Sequence, residues 1–181
     1  MGEVTKIFKR LLFGFLVSVA VGVIVTVVYP SIGRELAEYL RNSFGGHPRL
    51  RTFSLFLMIF LNNSKTATIA MLTGIIFGLG SWFIVLFNGF MVGAISTAVY
   101  ETGRRSALQI VLLLIPHGVI EIPAILLSAT AGVLLYKNVR RGRGKEGFKL
   151  SLKLLGISVV MLFIAALIES FVTPVIGKLA S

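Results

Sequence analysis

The residues able to do chemistry in this chain are few: Asn62, Asn63, Lys65, Asn88, His117, Glu121 and Glu169. Each lies within or against a long apolar run. An ionisable group near a bilayer centre costs about 3 kcal/mol or more, so such groups are normally paired. His117 and Glu121 are i and i+4, which puts both on one face of a helix. Pro116 beside them removes a backbone N–H and can free a carbonyl. Three chemistries suit this set. One is a hydrogen-bonded network that sets helix register, at about 0.6–2 kcal/mol per contact. Another is a divalent metal such as zinc, held by His117, Glu121 and Glu169, with Asn62, Asn63 or Asn88 as further partners. The third is a proton or ion pathway in which Glu121 and Glu169 act as relays. A bound metal would activate water with one Glu as base, the chemistry of an intramembrane hydrolase. The spacing is His-x-x-x-Glu rather than His-Glu-x-x-His, and the remaining histidine, His47, lies in a loop. Ser64 and Lys65 lack the positional signature of a nucleophile and its base. No residue acquires a catalytic role from this pattern, and no organic cofactor is implied.

The elements that must position these residues are membrane helices. Of 181 residues, 56% are hydrophobic and 14% charged. An ordinary soluble domain carries about a quarter charged residues, so that class is excluded, and a disordered tail with it. Lys and Arg number 18 against 7 acids, all of them Glu, for a net charge of +11. A nucleic-acid partner is set aside, because the cations flank apolar runs too long for a soluble fold. They read instead as topology determinants and as contacts to anionic lipid headgroups. The absence of cysteine excludes disulfides and thiolate chemistry.

The fold expected is an all-α, polytopic transmembrane bundle of about five spans, forming a single domain over residues 1–181. Lys6, Lys9 and Arg10 precede a first span at 11–28, closed by Tyr29-Pro30. Residues 31–52 read as a surface helix and a turn at Gly45-Gly46-His47-Pro48. The stretch 53–80 is open to two readings. Either it is one span with a polar break at Asn62-Asn63-Ser64-Lys65, or a re-entrant or interfacial half-helix followed by a short span. A third span runs from about Trp82 to Tyr100, and a fourth from about Leu108 to Tyr136, with Pro116 and Pro123 expected to bend or break it. Lys137, Arg140, Arg141, Arg143, Lys145 and Lys149 form a basic, glycine-containing segment that reads as a mobile, lipid-facing loop. The last span covers about 150–175. The positive-inside rule places the N-terminus and the basic loop in the cytoplasm and the C-terminus outside the cell membrane. Gly74-x-x-x-Gly78, Gly89-x-x-x-Gly93 and the stripe Gly14, Ser18, Gly22 are close-packing faces, within the chain or across a homodimer. On a rise of about 1.5 Å per residue, Asn62, Asn88, His117, Glu121 and Glu169 fall in one slab near mid-membrane and converge on one polar site.

Four sequence stretches carry a resemblance. They are Phe60-Leu61-Asn62-Asn63-Ser64, Phe87-Asn88-Gly89-Phe90, Ile115-Pro116-His117-Gly118-Val119-Ile120-Glu121-Ile122-Pro123-Ala124 and Ile168-Glu169-Ser170-Phe171-Val172-Thr173-Pro174. In this order they resemble the stage II sporulation protein M family, over about residues 50–176 plus the N-terminal span. The resemblance implies a multi-span membrane protein. In spore formers the family member works in engulfment, as a scaffold that recruits wall-degrading protein partners. Other members are archaeal membrane proteins of unknown function. The expectation that follows is a membrane scaffold or assembly factor within a protein complex, with a metal-dependent intramembrane enzyme or an ion-coupled transporter as the alternative.

Overall fold

Apolar runs of this length can satisfy their backbone in lipid only as helices or closed barrels, and the composition favours helices. The computed structural model describes residues 2–44, 52–101, 103 and 106–171; for 37, 39–44 and 112–117 it describes the backbone alone. Among the described residues six helices follow one another: α1 (Gly2–Val28), α2 (Pro30–Phe44), α3 (Thr52–Thr73), α4 (Leu79–Glu101), α5 (Ala107–Arg140) and α6 (Gly144–Phe171). Among the described residues there is no strand. Helices α1, α3, α4, α6 and the 118–140 part of α5 are long and apolar enough to cross a bilayer. The chain is an all-α membrane protein, with five such helices among the described residues.

Several boundaries differ from expectation. α1 begins at Gly2, two turns before the apolar run at 11–28, because Lys6, Lys9 and Arg10 are good helix formers. The stretch 52–73 is one continuous helix, so the re-entrant alternative is not what forms. Asn62, Asn63, Ser64 and Lys65 sit within it without breaking it. Thr66 and Thr68 donate their hydroxyls back to the carbonyls of Asn62 and Ser64, at 3.0 and 2.8 Å. α5 is also continuous: Pro116 and Pro123 do not break it, although each removes one ladder hydrogen bond. The basic loop expected at 137–149 shrinks to the turn Arg141–Arg143 between α5 and α6. Gly142 supplies its left-handed residue (φ +71°), so that glycine makes a tight turn rather than a flexible segment. The Gly45-Gly46-His47-Pro48 turn and the end of the last expected span, 172–175, lie outside the described residues.

Packing follows small residues. The buried face of α4 reads Ser81, Val85, Gly89, Gly93, Ala94 and Ala98, close to a four-residue repeat. A Cβ on Gly93 would lie 2.1 Å from the Val19 carbonyl oxygen, and one on Gly22 would lie 2.3 Å from that of Phe90. Gly14 meets Trp82, and Gly89 meets Phe15. The glycine stripes of α1 and α4 therefore pack against each other within the chain, with the two helices parallel. Gly74 abuts the backbone of Gly132 on α5 in the same way. Large apolar side chains point outward instead: Phe13, Ile24, Phe77 and Phe83 are all more than half exposed, as lipid contact requires.

α5 is the central helix. It packs against α1, α3, α4 and α6. Serine hydroxyls tie the bundle to neighbouring backbones. Ser128 of α5 donates to Ala67 of α3 at 2.5 Å, Ser81 of α4 to Ala70 of α3 at 2.7 Å, and Ser151 of α6 to Ala131 of α5 at 2.8 Å. Ser18 of α1 donates to Leu86 of α4. Phe56 and Phe60 of α3 meet the edge of Phe163 on α6, with ring centroids 5.3 and 5.5 Å apart. The phenylalanines of this segment are thus packing residues.

Candidate functional site

Asn63 lies half-way along α3 on the face turned to α5, and is 9% exposed. Its amide Nδ2 donates to Oε2 of Glu121 at 2.6 Å, and Glu121 is 6% exposed. α3 and α5 run parallel here, since Ser128 reaches Ala67 one turn further along. A carboxyl oxygen accepts this bond in either protonation state, so the contact is satisfied whether Glu121 is charged or neutral. One residue away, the Ser64 hydroxyl is buried without a hydrogen-bond partner.

Glu121 also faces a small cavity of about 40 Å³. Asn88 of α4 lines the same space, with Phe15 of α1, Val85, Val92, Ile122, Ile125 and Leu126 around it. About 10–15 Å³ of such volume holds one water, so there is room for about three. Asn88 is oriented by its own helix, donating Nδ2 to the Ile84 carbonyl at 2.8 Å. Its side-chain oxygen keeps acceptor capacity. The arrangement is a carboxyl and one amide among apolar walls, with a second amide, Asn63, bonded to the carboxyl from α3. It can hold water or a bare cation, and it can pass a proton between Glu121 and enclosed water.

Of the residues expected to converge, Asn88 and Glu121 come together, and Asn63, named as a further partner, joins Glu121 where its neighbour Asn62 is expected. Asn62 and Lys65 are exposed on other faces of α3. The backbone at His117 continues α5, and its side chain lies outside the described residues. Glu169 is half-buried on α6, is engaged in an interaction of its own, and does not line the cavity. The reason is register. α6 runs antiparallel to α5 from the Ser151–Ala131 bond. Glu169 lies about 27 Å beyond that level, and Glu121 only about 15 Å. Among the described residues, no three His, Cys, Asp or Glu side chains gather as a metal would require.

The basic residues gather at the opposite end. Glu3, on the charged turns of α1 ahead of the apolar stretch, accepts from Lys137 Nζ at 3.2 Å. Both guanidinium nitrogens of Arg141 reach the same carboxylate, at 3.0 and 3.2 Å. These hydrogen bonds, Arg141 first and Lys137 second, hold the Glu3 carboxyl below its ordinary value. The N-terminal cations and the 137–141 cations therefore share one end of the bundle. Arg140 is exposed and lies over the Tyr136 ring, 5.9 Å from its centroid. Arg143, Lys145 and Lys149 are exposed.

Sequence reasoning missed Phe15 as a wall of the cavity and Glu3 as the centre of the basic cluster. Gly14 and Gly89 signal that α1 and α4 approach closely enough for Phe15 to reach inward. Glu3 stands alone among the cations of the N-terminal segment, which is a signal of pairing.

Comparison with known proteins agrees with this architecture. Residues 11–174 match the model of the family described as stage II sporulation protein M. An uncharacterized protein of Methanocaldococcus jannaschii is 37% identical over 152 residues, covering 80% of each chain. A second uncharacterized protein of the same organism is 34% identical over 135 residues, covering 69% of this chain and 58% of its own. No solved structure matches. The five apolar helices, and the family match over nearly all of their length, lead to one conclusion: the chain belongs to the stage II sporulation protein M family.

Proposed function

We propose that this protein is a non-enzymatic membrane scaffold or assembly factor, with the Asn63–Glu121 contact acting as a buried latch between α3 and α5. The observation that carries the reading is the size of the polar site. A cavity of about 40 Å³ beside Glu121 has room for water and is too small for an organic substrate. The carboxyl is satisfied by an amide on a neighbouring helix, as a register-setting contact would be. In this reading the N-terminus and the 137–149 segment face the cytoplasm of a cell membrane, following the positive-inside rule. The partners are other membrane proteins and the surrounding lipid.

A second reading is favoured by one specific feature. Glu121 and Asn88 border the same water-sized space, which suits an ion- or proton-coupled carrier. Glu121→Gln separates the two, because a glutamine carbonyl accepts from Asn63 but cannot exchange a proton. The protein is reconstituted into liposomes carrying an internal pH dye, and proton and cation flux are measured. A scaffold gives no flux above empty liposomes in wild type or in Glu121→Gln. In the native membrane, a scaffold with Glu121→Gln keeps the cross-linked partner set of wild type, and Glu121→Ala loses it. Flux in wild type that Glu121→Gln abolishes would refute the scaffold reading in favour of transport.

A further inference from the structure

We propose that the notch between the start of α1 and the end of α5 binds a phosphate group, the chemistry shared by an anionic phospholipid headgroup and free phosphate. The site is separate from the Glu121 cavity and does not rest on the scaffold reading. It begins with spacing. Lys6 and Arg10 are i and i+4 on α1, and Lys137 in the last turn of α5 is followed four residues on by Arg141, the C-cap of that helix. The first pair therefore lies on one face of α1, and the second presents one basic face at the end of α5, where both side chains bind Glu3. The fold turns these faces toward each other across a cavity of about 360 Å³, lined by Gly2, Glu3, Lys6, Ile7, Arg10, Lys137 and Arg141.

Four cations face one carboxylate there. Glu3 takes the bonds of Lys137 and Arg141 and holds both at the rim of the notch. Lys6 and Arg10 are exposed within the same lining. The positive end of the α1 dipole adds to the field. Arg10 offers a planar fork suited to two phosphate oxygens and Lys6 a point charge, while Arg141 and Lys137, bonded to Glu3, add positive charge at the rim. Ile7 closes the floor of the notch, 4% exposed. Location fits the ligand as well. Arg10 directly precedes the apolar run at 11–28, so the notch opens at the level of lipid phosphates. Arg143, Lys145 and Lys149, by contrast, lie outside this lining.

The test uses the full chain in detergent micelles, with retained lipid read by native mass spectrometry. Wild type should retain phosphatidylglycerol in preference to phosphatidylcholine. Lys6→Ala/Arg10→Ala should weaken phosphatidylglycerol about thirtyfold, a factor of about five for each cation lost near a charged surface. Arg143→Ala/Lys145→Ala removes the same charge outside the notch and should cost less than about threefold. Equal weakening by both pairs would mean diffuse surface charge and would overturn the site. Equal retention of the two lipids by wild type would overturn it without reference to any variant. Inorganic phosphate then distinguishes the sources. Displacement of the lipid by millimolar phosphate, with phosphate bound on its own, assigns the notch to the free anion. Retention of the lipid under that competition assigns it to the headgroup. Failure of both probes to bind would end the proposal.

Discussion

Replacing Glu121 by leucine should destabilise the bundle, and adding Asn63→Leu should restore most of the loss. The bond between Asn63 Nδ2 and Glu121 Oε2 is 2.6 Å long and joins two helices at sites less than a tenth exposed. Contacts of this kind are worth about 0.6–2 kcal/mol in a membrane. Glu121→Leu alone also leaves a buried amide N–H without an acceptor, at about 1–3 kcal/mol. The single variant should therefore lose about 2 kcal/mol, and the shift in unfolding midpoint should be about 4–8 °C for a chain of this size. Replacing both partners by apolar groups of similar shape is nearly neutral, so the double variant should recover to within about 1 kcal/mol of wild type. Glu121→Gln keeps the acceptor and should lie close to wild type. The assay is a thermal melt in detergent, checked by reversible unfolding in bicelles, with the four proteins forming a double-mutant cycle. Strict additivity of Asn63→Leu and Glu121→Leu would refute the latch, as would a Glu121→Leu protein as stable as wild type.

Three further outcomes follow from the same structure. Gly93→Val should separate α1 from α4 and lower stability by about 3 kcal/mol or more, because its Cβ would meet the Val19 carbonyl oxygen at 2.1 Å, whereas Gly156→Ala, with nothing within 4 Å, should gain up to about 1 kcal/mol; both are read by thermal shift. The Glu3 carboxyl is held below its ordinary 4.5 by Arg141 and Lys137, so the stabilisation it brings is present above pH 4.5 and lost as pH falls below it. The stability gap between wild type and Glu3→Gln should accordingly be open at pH 7, shrink as pH falls below 4.5, and narrow in high salt. Elemental mass spectrometry of protein purified without chelator should find no stoichiometric metal in wild type or in His117→Ala/Glu121→Gln; near-stoichiometric zinc in wild type that the double variant loses would return the site to metal chemistry.

Much of this fold was legible in the sequence, and the exceptions have physical causes. Apolar length revealed the five membrane-capable helices, and cation placement revealed which chain segments share an end. The Asn62-Asn63-Ser64-Lys65 interruption was ambiguous because polar residues do not themselves break a helix. What matters is which face each occupies, and only the packed bundle shows Asn63 turned to α5 with Asn62 and Lys65 exposed. The prolines of α5 do not break it for a related reason: the helix is held by four neighbours, and packing outweighs two lost ladder bonds. The glycines after Lys137 resembled flexibility, yet Gly142 serves a three-residue turn. The candidate site was half readable. Depth along each helix put Asn62, Asn88, His117, Glu121 and Glu169 in one slab, but depth carries no information on rotation, which turns Asn63 rather than Asn62 to Glu121, or on the α5–α6 register that sets Glu169 apart from the cavity.

The small-residue faces of α1, α4 and α5 carry a consequence for how this protein responds to temperature. Gly22, Gly89, Gly93, Gly74 and Gly132 bring backbones together without burying much apolar surface from water, because the alternative neighbour is lipid. Water-excluded apolar area is what gives soluble domains their large unfolding heat capacity and their dome-shaped stability curve. Separation of these helices within a bilayer should therefore carry a heat-capacity change near zero. Their association is a balance of contact enthalpy against lost freedom, and it tightens steadily on cooling, with no cold limit of the kind that hydrophobic cores possess.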